Sequence, residues 1–184
     1  MWRLKTVALL TLTIALMPAQ VRSQQQREDP AHSVENIVTG SLNELRGKRR
    51  VLLMVRRSSI IDTRGQAKAI IAEAFKPSEI NSPVRFPRTY NTLARKLNGY
   101  MRKHQSMSAA RDLQDAEFIV LFNLLEFRRP LGVPHAFGEL FVILNETGDG
   151  KKPRIIWKTR KTSVWVEDAI NDFLKDLKFY RQEG

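Results

Sequence analysis

The chain has 184 residues, of which 42% are hydrophobic and 27% are charged, and its formal net charge at neutral pH is +12. A chain of this size can bury a sufficient hydrophobic core of its own. The sequence contains no cysteine. This excludes disulfides, thiolate metal sites, covalently attached c-type haem, a cysteine nucleophile and the lipidated N-terminal cysteine of bacterial lipoproteins.

Residues 1–23 have the three-part layout of a secretory signal peptide. Arg3 and Lys5 make a positively charged start, an uncharged apolar run follows over 7–17, and Pro18 ends that run. The run is shorter than the roughly 20 apolar residues that a membrane-spanning helix needs. We therefore predict a signal peptide that is cleaved after Ser23, with Ala19 as a second possible cut site. The alternative is an uncleaved N-terminal anchor.

Cleavage would remove three basic residues and no acid. The mature chain would then carry 28 lysines and arginines against 19 acids, a net charge of +9. No later stretch approaches the length of a membrane span, which predicts a mature chain without a transmembrane segment. Small exported domains of eukaryotes usually rely on disulfides, and this chain can form none. The sequence therefore predicts a bacterial protein that is periplasmic or secreted.

Behind the signal peptide, the polar stretch 24–33 predicts a flexible leader. A single α/β domain is predicted for 34–184. Its elements follow from apolar spacing, because positions three or four apart indicate helices and short continuous apolar runs indicate buried strands. In chain order we predict a helix over 34–45, a strand over 51–55, a helix from 62 or 63 to 75, a helix over 88–105, strands over 116–127, 137–145 and 154–162, and a helix over 164–181.

The helix predicted over 88–105 has an apolar stripe on one side and a basic stripe on the other. The apolar stripe consists of Tyr90, Leu93, Leu97, Tyr100, Met101 and His104. The apolar side is expected to pack on the sheet, which leaves the basic side in solvent. On that side arginines recur every seven residues, with lysines beside two of them: Arg88, Arg95, Lys96, Arg102 and Lys103.

The predicted order of elements is (α)-β-α-α-β-β-β-α. Short loops join the last three strands, and such loops connect antiparallel neighbours. The pattern predicts an α/β fold of the α+β type. It is a two-layer sandwich in which helices cover one face of a roughly four-stranded mixed sheet, with an antiparallel β-meander and a C-terminal helix.

Residues from about 112 to 180 carry a resemblance to known proteins. The stretch 115–118 (DAEF) leads into a long strand, 138–140 (GEL) opens the next, 155–158 (IIWK) forms the third, and an amphipathic helix closes the chain. This resembles small domains of unknown function in bacterial envelope proteins and lipoproteins, including the amino-terminal domains of TolB-like and curli-secretion-like proteins. The resemblance implies a non-catalytic module of envelope assembly. The chain departs from the lipoprotein members because it lacks a lipidated cysteine, and no functional residue carries over.

Histidines and serines occur in contexts that favour structural roles. His32, His104 and His135 show none of the spacings of metal-binding motifs. Ser58 and Ser59 follow a predicted strand, but the motifs of serine nucleophiles are absent. The sequence therefore predicts no catalytic residue, no metal site and no cofactor.

Two glutamates are the remaining candidates for catalysis. Glu126 and Glu139 lie on strands that we expect to pair, and two facing carboxylates can perform acid–base chemistry. We favour the alternative in which these glutamates form ion pairs at a sheet edge, with Arg128, Arg129 or Lys158.

Basic side chains are the unusual feature of the composition. A first group surrounds the first strand, and a second group is the basic side of the long helix. A run of charge is often only a solvated face. The functional alternative is attraction to a polyanion, which outside the cytosol means anionic lipid headgroups, lipopolysaccharide or an acidic protein. The first group consists of Arg46, Lys48, Arg49, Arg50, Arg56 and Arg57.

Three hypotheses for function follow. The leading one is an exported, non-catalytic domain that binds a partner in the bacterial cell envelope. The second is a basic protein that binds a polyanion through the five basic residues of the long helix. The polyanion would be anionic lipid, lipopolysaccharide or nucleic acid, and nucleic acid ranks last because its recognition motifs are absent. The third is a hydrolase whose site is assembled from distant residues, which a deep pocket gathering Glu126, Glu139 and a histidine would favour.

Overall fold

A computed structural model describes residues 37–57, 66–76, 85–146 and 152–182. The described residues all belong to one compact unit that spans 32–184. The predicted signal peptide and leader fall outside the described residues, as do three of the candidate side chains: His32, Ser58 and Ser59.

In the described residues, six strands form one mixed sheet: β1 (Arg50–Arg57), β2 (Ser108–Ala109), β3 (Phe118–Arg128), β4 (His135–Leu144), β5 (Arg154–Lys158) and β6 (Val164–Trp165). The order is β2-β1-β3-β4-β5, and β6 pairs with β4 outside this path. β1 is parallel to β2 and β3, whereas β3, β4 and β5 are antiparallel neighbours. The α+β class, the mixed sheet and the meander are thus confirmed. The strand number exceeds the predicted four because β2 and β6, at two residues each, are too short to leave a pattern in the sequence.

Three α-helices accompany the sheet in the described residues: α1 (Ala67–Ala74), α2 (Pro87–His104) and α3 (Val166–Arg181). The helices predicted over 88–105 and 164–181 are confirmed nearly to the residue. The C-terminal helix begins two residues later than predicted because Val164 and Trp165 pair with β4. Within the described part of the chain, no helix combines the length and apolarity needed to cross a bilayer.

The helix predicted over 34–45 is wrong in its described part. Thr39 N–H donates to the Ile155 carbonyl oxygen at 2.9 Å, so the chain here lies against β5 instead of coiling. Helix formation is limited to a 3-10 turn over Leu42–Leu45, which the Ser41 side chain caps. A Cβ on Gly40 would lie 2.7 Å from a side-chain carbon of Ile156. The close approach of the backbone to β5 therefore requires glycine at this position.

The sheet is covered on both faces, which corrects the prediction that helices cover one face. α2, α3 and the 3-10 turn pack on one face, against Phe118, Val120 and Phe122 of β3. On the other face α1 contributes Ile70 and Ala74 to a second buried cluster that includes Ile119 and Leu121 of β3. β3 and β4 are apolar at nearly every position instead of at alternate ones, and such strands need cover on both sides.

On the larger face, α2 and α3 pack against each other and run in the same direction. Arg95 of α2 lies 3.5 Å from Glu167, in the first turn of α3. Arg181, in the last turn of α3, donates to the Ser106 hydroxyl just beyond the end of α2 at 3.4 Å. The two helices therefore begin at one end of the domain and end at the other, and each end carries a surface depression.

Candidate functional site

The basic face of α2, defined as Arg88, Arg95, Arg102 and Lys103, is exposed. Its orientation follows from the opposite side of the helix, where Leu93 and the buried residues around it pack on the sheet. Lys96, also predicted for this face, is only half-exposed. The Arg95 side chain remains 70% exposed in spite of its ion pair with Glu167, so its charge still acts on solvent.

The first basic group of the sequence divides into structural and exposed arginines. Arg50 forms a fork with both carboxylate oxygens of Asp115, each at 2.7 Å. The backbone N–H of Arg111 and this guanidinium hold the pKa of Asp115 below its usual range. Arg56 is buried in the sheet, whereas Arg57 at the end of β1 is exposed. The charges left for a partner near the start of β1 are Arg46, Lys48 and Arg49.

A depression of about 380 Å³ lies where α2 and α3 end, and we call it the arginine pocket. Arg46 Nε donates to the Tyr180 carbonyl oxygen at 3.0 Å, and Arg181 Nη2 donates to the Lys48 carbonyl oxygen at 2.8 Å. These bonds fasten two guanidinium groups to the backbone. The pocket brings together residues from three distant parts of the sequence: Arg46, Gly47, Arg49, Gln105, Ser106 and Arg181.

The opposite end of the two helices carries an apolar groove of about 450 Å³. Phe127 and Val133 line it and are 49% and 56% exposed, which is high for large apolar side chains. Trp165 and His135 also line it, with their ring planes perpendicular and 4.9 Å between the ring centroids. Arg88 stands among the lining residues. The groove therefore offers apolar surface beside one end of the basic face of α2.

Glu126 and Glu139 do not face each other, so the paired-carboxylate arrangement is wrong. Strand register places Glu139 opposite Asn123 and Glu126 opposite Phe137. Glu126 forms an ion pair with Arg128, and that guanidinium together with the Ser163 hydroxyl lowers the Glu126 pKa. Glu139 lies 3.9 Å from the Lys158 ammonium. The predicted pairing of these acids with Arg128 and Lys158 is thus confirmed, but the predicted sheet-edge position is wrong for Glu139, which is buried on the inner strand β4.

The described histidines contact aromatic rings. His104 lies against Tyr100 at 4.5 Å between ring centroids, and His135 lies against Trp165. Over 37–57, 66–76, 85–146 and 152–182 there is no group of three or more histidine or carboxylate side chains with the spacing of a metal site.

A buried polar row crosses the α1 face of the sheet and was missed by sequence reasoning. Arg56, Asn123 and Glu139 are neighbours in register on β1, β3 and β4, and all three are buried. Arg56 Nη2 donates at 3.2 Å to two carbonyl oxygens at the end of α1. The signal in the sequence was a polar residue inside two apolar runs, at Asn123 and Glu139, and one at the end of a third, at Arg56. We interpret the row as structural, because it fastens α1 to the sheet.

Comparisons with known protein families, curated proteins and solved structures found no match to this chain. The resemblance to envelope domains therefore stays a prediction.

Proposed function

We propose that this chain is an exported, non-catalytic domain that binds an anionic partner of the bacterial cell envelope through the basic face of α2. The observation that carries the proposal is the exposure of Arg88, Arg95 and Arg102 along one side of a helix that is fastened to the sheet by its other side. Among the described residues, Glu167 is the acid that forms an ion pair with this face.

The spacing of these arginines suits an extended anion. Seven residues of α-helix rise about 10.5 Å, so the three guanidinium groups are spread over about 21 Å. Salt screens charges over roughly 8–10 Å. Each arginine therefore acts on its own part of a partner, which favours a surface of headgroups or a charged polymer over one small anion. Lipopolysaccharide, anionic phospholipid and an acidic protein all have this character.

Two further observations support a binding role instead of hydrolysis. Glu126 and Glu139 are engaged with basic side chains, and they lie on strand positions that do not face each other. The apolar groove beside Arg88 holds neither glutamate. The export part of the proposal is supported by residues 1–23, and its envelope location by the resemblance of 112–180 to envelope domains.

Replacing Arg88, Arg95 and Arg102 together by glutamine is expected to weaken binding to vesicles that contain anionic lipid by up to about 100-fold. This follows because each arginine near such a surface contributes about 1 kcal/mol. The melting temperature is expected to stay nearly the same, because the exposed ion pair of Arg95 contributes about 0–1 kcal/mol. Vesicle co-sedimentation and retention on a heparin-type resin, each at low and moderate salt, measure the effect.

A matched control removes the same charge elsewhere. Lys68, Lys152 and Lys161 are exposed and belong to other segments than α2, so their joint replacement by glutamine is expected to cause a much smaller loss of binding. Equal retention of the parent and the arginine variant at both salt concentrations would show that the basic face is only solvated, and the proposal would fall.

Export is expected to yield a mature chain that begins at Gln24, or at Gln20 if the earlier cut is used. Mass spectrometry of the protein recovered from the exported fraction of a bacterial host measures the N-terminus. A Leu10→Arg control, which places a charge in the apolar run, is expected to abolish both processing and export. Recovery of intact Met1 in the exported fraction would contradict the cleaved signal peptide.

A further inference from the structure

We propose that the arginine pocket binds a phosphate monoester group. This inference deepens the proposed function and rests on it, because it names a specific anion that the domain would recognise beside its general attraction to anionic surfaces. The pocket lies at the ends of α2 and α3, and the apolar groove lies at their beginnings.

Among the residues that the structure describes, the lining of the pocket is positive and contains no acid. Three of the six lining residues are arginines, and the other three are a glycine, an amide and a hydroxyl residue. Like charges gathered in one depression repel each other, and the repulsion is relieved when an anion enters. On the β1 side, the Glu117 carboxylate accepts the backbone N–H groups of Arg49 and Arg50 at 2.6 and 2.9 Å. The Glu117 oxygen that accepts these bonds therefore points toward the backbone of β1.

Backbone contacts hold two of the guanidinium groups in place before any ligand binds. Arg46 uses Nε to reach the Tyr180 carbonyl oxygen, which directs its terminal nitrogens away from that contact. Arg181 reaches the Lys48 carbonyl oxygen and the Ser106 hydroxyl. Side chains that are already ordered lose less entropy when a ligand binds, so the pocket is preorganised.

The number and type of donors favour a phosphoryl group over a carboxylate. A guanidinium presents a planar fork that matches two oxygens of a carboxylate or phosphate. One arginine satisfies a carboxylate, whereas a phosphate monoester has three strong acceptor oxygens and a charge of about −1.5 to −2. Arg49, the terminal nitrogens of Arg46 and the Ser106 hydroxyl supply donors for the three oxygens, and Arg181, held by Lys48 and Ser106, adds positive charge beside them. A cavity of about 380 Å³ also leaves room for part of the molecule that bears the phosphate.

Arg49 distinguishes this inference from a purely structural cluster. Helix ends present unpaired carbonyl oxygens, which attract arginine side chains without any ligand, and the contacts of Arg46 and Arg181 fit that explanation. Arg49 does not, because its side chain is exposed and its charge acts on the Glu117 carboxylate instead of on the carbonyl oxygens of a helix end. Its place in the lining of the pocket therefore points to a ligand.

The test compares the full chain with R49Q, with K161Q as a control that removes one exposed charge elsewhere. Inorganic phosphate and glycerol 3-phosphate are titrated by calorimetry in phosphate-free buffer, and each titration is repeated as a thermal shift. The parent and K161Q are expected to bind both probes, and R49Q is expected to bind them at least tenfold more weakly with an unchanged melting temperature in the absence of ligand. Failure of the parent to bind either probe, or equal binding by R49Q, overturns the inference for a soluble phosphate ester.

Vesicles distinguish a lipid headgroup from a soluble source. Vesicles with phosphatidic acid present a phosphate monoester, and vesicles with phosphatidylglycerol present a diester. A preference of the parent for phosphatidic acid that R49Q loses assigns the pocket to a lipid phosphate, even if soluble probes bind poorly. No preference in the parent, together with no binding of soluble probes, removes the pocket proposal entirely.

The outcome is separable from that of the proposed function. The variant with Arg88, Arg95 and Arg102 replaced is expected to keep its affinity for inorganic phosphate while it loses affinity for anionic vesicles of both kinds. R49Q is expected to lose affinity for inorganic phosphate and to keep its general affinity for anionic vesicles, with heparin retention close to that of K161Q. If the triple variant binds vesicles like the parent and R49Q loses phosphate, the basic face of α2 is rejected and the pocket stands.

Discussion

Truncation of Phe122 or Phe173 to alanine is expected to lower the free energy of unfolding by about 3–5 kcal/mol, the cost of deleting a buried aromatic ring. Phe122 lies on the central strand β3 and Phe173 on α3, and both side chains are fully buried in the same cluster. Phe173 also contacts Trp157 of β5, with 5.4 Å between ring centroids. Urea unfolding of each variant measures the loss.

Phe179 offers a matched control on the same helix as Phe173. Its side chain is 77% exposed, so Phe179→Ala is expected to change the free energy of unfolding by no more than about 0.5 kcal/mol. If the Phe122 and Phe173 variants unfold at the same urea concentration as the parent, the assignment of the core faces of β3 and α3 is wrong.

Gly138→Ala is expected to destabilise the fold by about 1–3 kcal/mol or more, as overpacking of a filled core does. A Cβ at Gly138 of β4 would overlap the backbone carbonyl oxygen of Asn123 on β3 and would lie 2.9 Å from its carbonyl carbon and 3.1 Å from the Phe122 ring. Because the obstacle is backbone in the centre of the sheet, β3 and β4 would have to separate. Thermal unfolding monitored by circular dichroism measures the loss.

The same substitution of glycine by alanine is expected to have the opposite effect on stability at Gly99. It lies within α2, and beyond the neighbouring backbone of its own helix a Cβ there would meet nothing within 4 Å. Alanine is a better helix former than glycine by about 0.8–1.0 kcal/mol, so Gly99→Ala is expected to raise stability by about that amount. A stable Gly138→Ala variant would mean that β3 and β4 do not approach each other as closely as described.

The elements with strong local patterns were predicted from the sequence because their signal lies within one stretch of chain. The stripe of α2, with Leu93 and Leu97 at its centre, repeats at the helical period, and its arginines repeat on the other side. β3 was recognised from an apolar run that is long for a strand and rich in aromatic and branched residues. The direction of the basic face of α2 followed from the same periodicity.

Tertiary structure decided the features that depend on which elements become neighbours. β2 forms because the chain after α2 returns beside β1, where Ser108 N–H donates to the Arg49 carbonyl oxygen at 2.8 Å. The side of the sheet on which α1 packs depends on where the connecting chain crosses, which apolar spacing does not encode. Strand register likewise separated Glu126 from Glu139. Register depends on the turn between β3 and β4 and on the irregularity in their pairing, which falls on β3 between Leu124 and Glu126.

The sequence by itself determined the helix and strand periodicities, the excess of basic charge, the absence of cysteine and the basic face of α2. Only the tertiary structure decided that Arg46, Arg49 and Arg181 line one pocket, although more than 130 residues separate the first from the last. The physical reason is the range of each signal. Amphipathic spacing acts within a few turns of chain, whereas the convergence of charges depends on strand order and on the parallel packing of α2 and α3.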